Sequence, residues 1–322
     1  MKIAFRSKYG SPKVLSIKEV EIPTPNDNEV LIKVFASTVN RSDCHLLTGK
    51  PLLMRLFIGL FKPKLSTTGT DFTGRIEATG KNVTSFKTGD RVMGFSGGLI
   101  GIKSHAQYLL LPEAKAKKII VNIPDKLNYE EAAACLEGAF YASAITLLNP
   151  KAGQKALVYG ATGAIGSSYL QFLKFYGVYT TAVCRGEHKE LVKSLGADKV
   201  IDYTTNDFTK DTERYDIVFD AVGRSSFFKC KILLKKNGFY TSSGGMENIF
   251  LIFITPLFGG KKVVFKTHKS ITKGLSIIKE LIEKGNFRPV IDRKYPIDKI
   301  VEAFTYVMSG QKIGNVIITM DA

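Results

Sequence analysis

The sequence predicts a mixed α/β protein in which a doubly wound parallel-sheet domain is inserted into a β-rich one, and three observations lead there. Ala156–Tyr176 runs from strand through glycine turn to helix without a break. After it, strand-like and helical periods alternate as far as Lys266. Residues 1 to about 120 instead show short strand-like runs separated by Gly, Pro, Asn and Asp, with few helical stretches.

In order, the β-rich part has strand-like runs at Lys2–Arg6, Leu15–Val20, Glu29–Ser37, Thr73–Ala78, Arg91–Phe95 and His105–Leu111. Pro51–Lys64, PLLMRLFIGLFKPK, interrupts them as an apolar and basic stretch flanked by prolines. It predicts a short helix or loop that lies over a pocket or on a partner. Leu127–Leu148 turns to helical period, with Asn128 ahead of two glutamates as a start signal.

Gly160, Gly163 and Gly166 follow the strand Ala156–Tyr159 at three-residue spacing, before Ile165, Tyr169, Leu170, Phe172, Leu173 and Tyr176 take up a helical period. A dinucleotide site needs a tight turn out of the strand, a bare backbone where the pyrophosphate approaches, and a glycine where helix meets strand. Gly163 and Gly166 suit the last two needs, and Ala161 stands where the first glycine is usual. Gly160, Thr162, Gly163, Ala164 and Ile165 are therefore the candidate cradle, against the plainer reading of a tight strand-to-helix turn.

Strands at Thr180–Cys184, Lys199–Ile201, Tyr215–Val222, Phe239–Ser243 and Lys262–Lys266 then alternate with helices at Glu187–Leu195 and Ser225–Leu234. A helical stretch Ser270–Lys284, a short helix Asp298–Ser309 and a strand Gly314–Met320 return to the style of the first part. The predicted domains are 1–123 with 269–322, around an inserted 124–268, with the ligand cleft between them.

At 322 residues and 44% hydrophobic the chain can bury a large core. Its net charge of +17 leaves a polyanion partner open, but the basic residues are spread and no arginine-rich helix or zinc-knuckle spacing appears, so no specific nucleic-acid partner is expected. The four cysteines lie far apart, which suits reduced thiols in a cytoplasmic protein. No signal peptide is expected from the N-terminal residues, and the longest apolar run, Ile249–Phe258, is shorter than the ~20 residues of a membrane span.

Val39-Asn40-Arg41-Ser42-Asp43, Gly69-Thr70-Asp71-Phe72-Thr73-Gly74 with Gly89-Asp90-Arg91-Val92, the Ala-x-Gly-x-x-Gly turn, Leu195–Tyr203 and Tyr215–Gly223 occur in the order of one family. The chain resembles the zinc-free, quinone oxidoreductase-like branch of the medium-chain dehydrogenase/reductase superfamily along almost its whole length. The resemblance implies a GroES-like (chaperonin-10-like) β-barrel catalytic domain and a Rossmann domain. It also implies hydride transfer from a reduced nicotinamide to a quinone or an α,β-unsaturated carbonyl.

Where zinc-dependent relatives place a Cys and a His ligand, this chain has Asn40 and Thr70, so no metal is expected; the neighbours Cys44 and His45 seldom chelate one ion. Without a Lewis acid, alcohol oxidation is the less favoured chemistry. On the resemblance, Asn40 lies beside the nicotinamide and donates to the substrate carbonyl, or else serves a local turn. Tyr141 is a pocket donor or a packing aromatic, and Asp43 an acceptor for backbone amides rather than a general base.

Coenzyme choice turns on the end of the second sheet strand, where an acidic residue would favour NAD. Arg185 stands there with Lys189 one turn on, and the resemblance places Tyr203 against the adenosine phosphate; together they point to NADPH. Solvated surface charge is the alternative for Arg185 and Lys189, and Glu187 argues mildly against the phosphate. The resemblance adds Val222, Gly223, Gly244, Gly245 and Asn315 as coenzyme contacts. Leu52, Phe57, Phe95, Phe250 and Phe253 are substrate-side candidates. It also suggests a homodimer through the Lys262–Lys266 edge. A coenzyme-binding protein with a structural, RNA-associated or membrane-surface role, and an alcohol dehydrogenase or aldehyde reductase of the same superfamily, stand as alternatives.

Overall fold

A computed structural model gives the structure and describes residues 1–98, 101–244 and 247–320, the side chains of Glu247 and Ile249 excepted. The chain forms two compact units, Met1–Phe140 with Lys269–Ala322, and Tyr141–His268.

The first unit is built on a seven-stranded sheet. Its path runs Ile291–Pro296, Asn315–Thr319, Glu29–Thr38, Asp71–Thr79, Arg91–Phe95, Ile120–Asn122, and Tyr108–Pro112 pairs on Glu29–Thr38 as well. Glu29–Thr38 is its spine: Val30, Ile32, Val34 and Ala36 recur every second residue and are buried, as the two-residue period of a strand requires. Val30, Ile32 and Val34 pack with Phe72, Ile76, Val92, Val316 and Ile318, and each such fully buried side chain contributes roughly 2–3 kcal/mol. Helices Arg41–Thr48 and Ile300–Ser309 cover this core through Leu47, Ile300, Phe304 and Val307.

Four α-helices and strands of this unit escape the sequence reading: the helices Arg41–Thr48 and Glu113–Ile119 and the strands Ile120–Asn122 and Ile291–Pro296. Each is short or carries polar residues that blur its period; Ile291–Pro296 reads IDRKYP. Pro51–Lys64 holds a 3-10 turn at Leu52–Met54 and one helical turn at Arg55–Ile58.

The first crossing between units falls after Phe140, not at the predicted 123/124. The helix Tyr129–Ala133 belongs to the first unit for physical reasons. The Tyr129 ring stacks on Phe35 at 4.3 Å, its carbonyl accepts from Thr73 Oγ1 at 2.8 Å, and Ala133 packs with Ala36 and Ile317.

The second unit is a six-stranded parallel sheet in the order Lys199–Asp202, Tyr179–Cys184, Lys155–Tyr159, Tyr215–Asp220, Leu234–Ser242, Lys262–Val263. The helix Ala164–Phe175 crosses over it, and Tyr169 stacks on Phe219 at 4.0 Å. The helix expected over Ser225–Leu234 is only Phe227–Cys230 with a 3-10 turn, and the next strand begins at Leu234. The edge strand is two residues long rather than the five expected in Lys262–Lys266.

Candidate active site

In the sheet unit, the strand Lys155–Tyr159 ends at Gly160, whose φ is +78°. A Cβ there would stand 2.0 Å from Val222 Cγ2, so only glycine allows the turn with that loop alongside. At Gly166 a Cβ would meet the Gly160 carbonyl oxygen at 2.2 Å, so this glycine sets how closely helix and strand pack. Gly163 is different in kind. It is the N-cap of Ala164–Phe175 without a side-chain cap, and a Cβ there would meet only Gly160 O, at an ordinary 3.6 Å.

The space beside Gly163 is therefore open, and the first amides of the helix, with Thr162, Ala164 and Ile165 around them, bring the positive end of the helix dipole to it. The turn lies at the carboxyl ends of parallel strands where the strand order reverses, with Tyr179–Cys184 on one side and Tyr215–Asp220 on the other. Asp220 is buried there and accepts from the amides of Val222 (3.1 Å), Gly223 (2.7 Å) and Ser225 (2.7 Å), fixing the next loop. Gly244 comes against Gly223, where a Cβ on Gly223 would stand 2.9 Å from Gly244 Cα; Gly245 lies outside the described residues. A cradle open only at Gly163 and rich in unshielded amides fits a dinucleotide pyrophosphate.

At the end of the second strand, Arg185 Nε donates to Tyr203 Oη at 3.2 Å, and the guanidinium stands 3.6 Å from Glu187 Oε1. Both members of that ion pair are more than half exposed, so it is worth at most about 1 kcal/mol and yields readily to a phosphate. Lys189 is exposed on the helix that follows. Beside them a cavity of about 460 Å³ is lined by Tyr159, Tyr203, Phe208 and the turn of residues 204–207. The stacked rings of Tyr159 and Phe208, 4.9 Å apart, form its wall.

In the barrel unit, Asn40 caps the helix Arg41–Thr48 and its backbone amide donates to Asp43 Oδ2 at 2.9 Å. Its side-chain Nδ2 donates to Thr38 Oγ1 and to Asp71 Oδ2 (3.2 Å), and the amide also reaches the Glu137 carboxyl. Thr38 Oγ1 passes a hydrogen bond on to Asp71 Oδ2 at 2.5 Å, and Asp71 Oδ1 accepts from the Thr38 amide at 2.8 Å. Glu137 Oε2 accepts from Ser42 Oγ at 2.7 Å and Thr70 Oγ1 at 3.1 Å. Asp43, Asp71 and Glu137 are all buried, and the Oδ1 of Asp43 has no hydrogen-bond partner.

Burial dominates the acidity of this cluster. It lifts the Asp71 carboxyl to about 7, against the hydrogen bonds from Thr38 and Ser37 that favour its charge. Burial, then repulsion from Glu137 and Asp71, raises Asp43 well above the usual carboxylate range, and burial raises Glu137. Lys312, whose Nζ donates to Gly314 O at 2.7 Å, is lowered to about 8 by burial, in spite of the attraction of Glu137.

The structure changes the expected roles of several residues. With Thr38, Asp71 and Glu137 around its amide, Asn40 is directed into the protein rather than held ready for a substrate carbonyl. Asn315 spends its amide hydrogens on Ala134 O (3.0 Å) and Val290 O (3.1 Å), so it ties the barrel unit together. Phe95 is fully buried with its ring 5.2 Å from Phe140, a core position rather than a pocket wall. Phe57 and Phe250 are 68% and 70% exposed, each on its own unit, and Tyr141 is half-buried on the helix Glu137–Ser143.

Sequence reasoning passed over Glu137, Ser42, Thr38 and Lys312. The one available signal was a lone acid inside the apolar run AAACLEGAFYASA. Among the described residues no group of three His, Cys, Asp or Glu side chains is placed to hold a metal ion.

Two family models match, one described as "Alcohol dehydrogenase GroES-like domain" over residues 26–125 and one as "Zinc-binding dehydrogenase" over residues 195–318. The chain is 30% identical to the NADPH-dependent alkenal/one oxidoreductase of Arabidopsis thaliana, covering 99% of this chain and 79% of that protein. It is 28% identical to the quinone oxidoreductase of Homo sapiens, covering 94% and 92%. The solved structure of the quinone oxidoreductase from Coxiella burnetii superposes with a TM-score of 0.85 at 23% identity, covering 100% of this chain and 99% of that one.

Proposed function

This chain belongs to the quinone oxidoreductase-like branch of the medium-chain dehydrogenase/reductase superfamily, and from that premise we propose that it is a zinc-independent, NADPH-dependent reductase of quinones and α,β-unsaturated carbonyls. The observation that carries the proposal is the helix start at Gly163, open and uncapped at the sheet's switch point, with Arg185 at the end of the neighbouring strand. The named relatives point to the same acceptor classes and the same coenzyme.

NADPH, when bound, supplies the hydride. The chain's own residues do the rest. The amides behind Gly163 take the pyrophosphate, and Arg185, oriented by Tyr203, offers a planar fork to the 2′-phosphate. Asn40, gripped by Thr38 and Asp71, fixes the geometry of the polar cluster in the barrel unit. Steady-state assays with NADPH and NADH against a quinone, an enone and an alcohol test the proposal: NADPH-dependent reduction supports it, and metal-dependent alcohol oxidation alone overturns it.

The protein is further proposed to be a cytoplasmic homodimer. Exposed Leu257, Phe258 and Phe265 flank the edge strand Lys262–Val263 and would supply the interface, and no described helix is long and apolar enough to cross a membrane. A monomer in light scattering would refute the dimer. A second role at a membrane surface is favoured by one feature, the exposed Leu52 (66%), Phe57 (68%) and Phe61 (89%) beside Arg55, Lys62 and Lys64. Salt-sensitive cosedimentation with anionic vesicles tests it.

A further inference from the structure

At the end of the strand Tyr179–Cys184 one carboxylate oxygen stands between two donors. Glu187 Oε1 lies 3.6 Å from the guanidinium of Arg185 and 3.5 Å from His188 Nε2, both longer than a charge-assisted hydrogen bond of about 2.7–2.9 Å. We infer that Glu187 sets the coenzyme preference of the chain. It is the acid that a 2′-phosphate must displace from Arg185, and it accepts from the ribose hydroxyls when that phosphate is missing, so the protein binds NADH as well as NADPH. The inference rests on the coenzyme reading above and adds to it the residue that limits its selectivity.

The local chain places these groups within the sheet unit. Arg185 is the N-cap of the 3-10 turn Gly186–His188. At three residues per turn, positions i and i+3 fall on one side, which brings Arg185 and His188 to the same carboxylate. Gly186 lies tight on the next strand, where a Cβ would meet Asp202 Oδ2 at 2.4 Å. The turn is therefore seated against Asp202, while the Glu187 side chain, 61% exposed, reaches into solvent.

Two acids stand at this turn, and one of them is already committed. Asp202 Oδ1 accepts from the Thr204 amide (2.9 Å) and from Thr204 Oγ1 (2.7 Å), and the Gly186 amide also donates to this carboxyl. Among the described residues, Glu187 makes only its two long contacts with Arg185 and His188. Arg185 is anchored from its other side, where Nε donates to Tyr203 Oη at 3.2 Å. The ends of its fork are thus available to Glu187 or to a phosphate. Tyr203 lines the cavity of about 460 Å³, so the fork stands at an open face.

A 2′-phosphate brings close to two negative charges to this turn. Its attraction to Arg185 and Lys189 is opposed by Glu187, which also occupies the guanidinium that the phosphate needs. Without the phosphate, the ribose 2′-hydroxyl is a hydrogen-bond donor, and a carboxylate near this strand end is the acceptor that suits it. Glu187 therefore opposes one coenzyme and assists the other. Exposure to water and salt keeps both effects modest.

The test is calorimetric titration with adenosine 2′,5′-bisphosphate and with 5′-AMP, which differ only in the 2′-phosphate and need no turnover. E187Q keeps the length of the side chain and removes its charge. It should bind the bisphosphate about 3- to 10-fold more tightly and 5′-AMP about 2- to 5-fold more weakly. The ratio of the two affinities then rises roughly 6- to 50-fold, and the ratio for NADPH over NADH follows it. In an R185A background the gain for the bisphosphate falls below about twofold, because no guanidinium is left to release. A ratio in E187Q within twofold of wild type overturns the inference. A full gain in R185A overturns the competition for the guanidinium, and undiminished 5′-AMP binding overturns the ribose role. A wild type that binds the bisphosphate no better than 5′-AMP counts against Arg185 as the phosphate's partner and takes the inference with it, whereas one that binds neither nucleotide nor NADPH counts against the coenzyme site as a whole.

Discussion

Two glycines three residues apart do different work, and alanine at each separates packing from binding. At Gly166 the new Cβ would lie 2.2 Å from Gly160 O and 2.8 Å from Ala161 Cα, both backbone atoms that cannot rotate away. The helix must lift off the strand, an overpacking cost of about 1–3 kcal/mol, or a fall in Tm of roughly 3–10 °C. At Gly163 the backbone has φ −71° and ψ 171°, which alanine adopts freely, and the Cβ meets only Gly160 O at 3.6 Å. G163A therefore changes stability by less than about 1 kcal/mol, because alanine's poorer fit at an N-cap is offset by the freedom it removes from the unfolded chain. Its methyl stands where a pyrophosphate oxygen would approach the helix amides. Losing one charge-assisted hydrogen bond costs about 1.5–3 kcal/mol, so NADPH binds roughly 10- to 100-fold more weakly. Thermal unfolding and calorimetric titration with NADPH read the two effects separately. G163A with native Tm and native NADPH affinity would refute the cradle, and G166A with native Tm would refute the packing argument.

Replacing Arg185 by alanine should weaken NADPH about 10- to 100-fold while leaving NADH within about twofold, because of the two coenzymes only NADPH would bring a 2′-phosphate to the guanidinium; equal losses for both coenzymes contradict that placement. All four cysteines are free and buried, with burial pushing Cys44 up to about 12 and Cys184 and Cys230 up to about 11. The native protein should therefore resist iodoacetamide near pH 8 and react fully only when unfolded. His105 donates through Nε2 to Thr38 O (2.9 Å) and accepts at Nδ1 from Thr68 Oγ1 (2.8 Å), and burial lowers it to about 4. The folded state thus binds fewer protons than the unfolded one below about pH 6.5, and this residue's contribution, up to about 3 kcal/mol, is lost as pH falls from 6.5 toward 4. Asp71 has the opposite sign: lifted to about 7, it favours the folded state at low pH and loses that advantage as pH rises through 7. Relative to wild type, D71N should gain stability steadily between about pH 4 and pH 8 in denaturant titrations; a flat difference would contradict the buried, proton-holding Asp71.

The sheet unit was largely legible because its signals are local. A strand, a glycine turn and a helix within Ala156–Tyr176 constrain one another, and a parallel sheet follows from the alternation alone. The barrel unit was legible in its long strands, such as Glu29–Thr38, and not in Ile291–Pro296, whose polar residues break the two-residue period. The candidate site split the same way. Gly163 and Arg185 announce themselves by residue type at a fixed distance from a strand end. Glu137 and Lys312 reach the Asn40 cluster from far along the chain, and only tertiary packing joins them. The partners of Asn40 stayed hidden for that reason: the sequence shows its amide, but not the Thr38, Asp71 and Glu137 oxygens that claim it.

The central claim, reduction by NADPH held at the Gly163 turn without metal chemistry, is tested most directly by single-turnover mixing of the chelator-treated protein with NADPH and an enone or a quinone. The account predicts enone or quinone reduction at one equivalent of NADPH oxidised per acceptor, unaffected by the chelator and abolished by removing the coenzyme. No oxidation of bound NADPH with any acceptor of either class, or activity that appears only when zinc is restored, would contradict it.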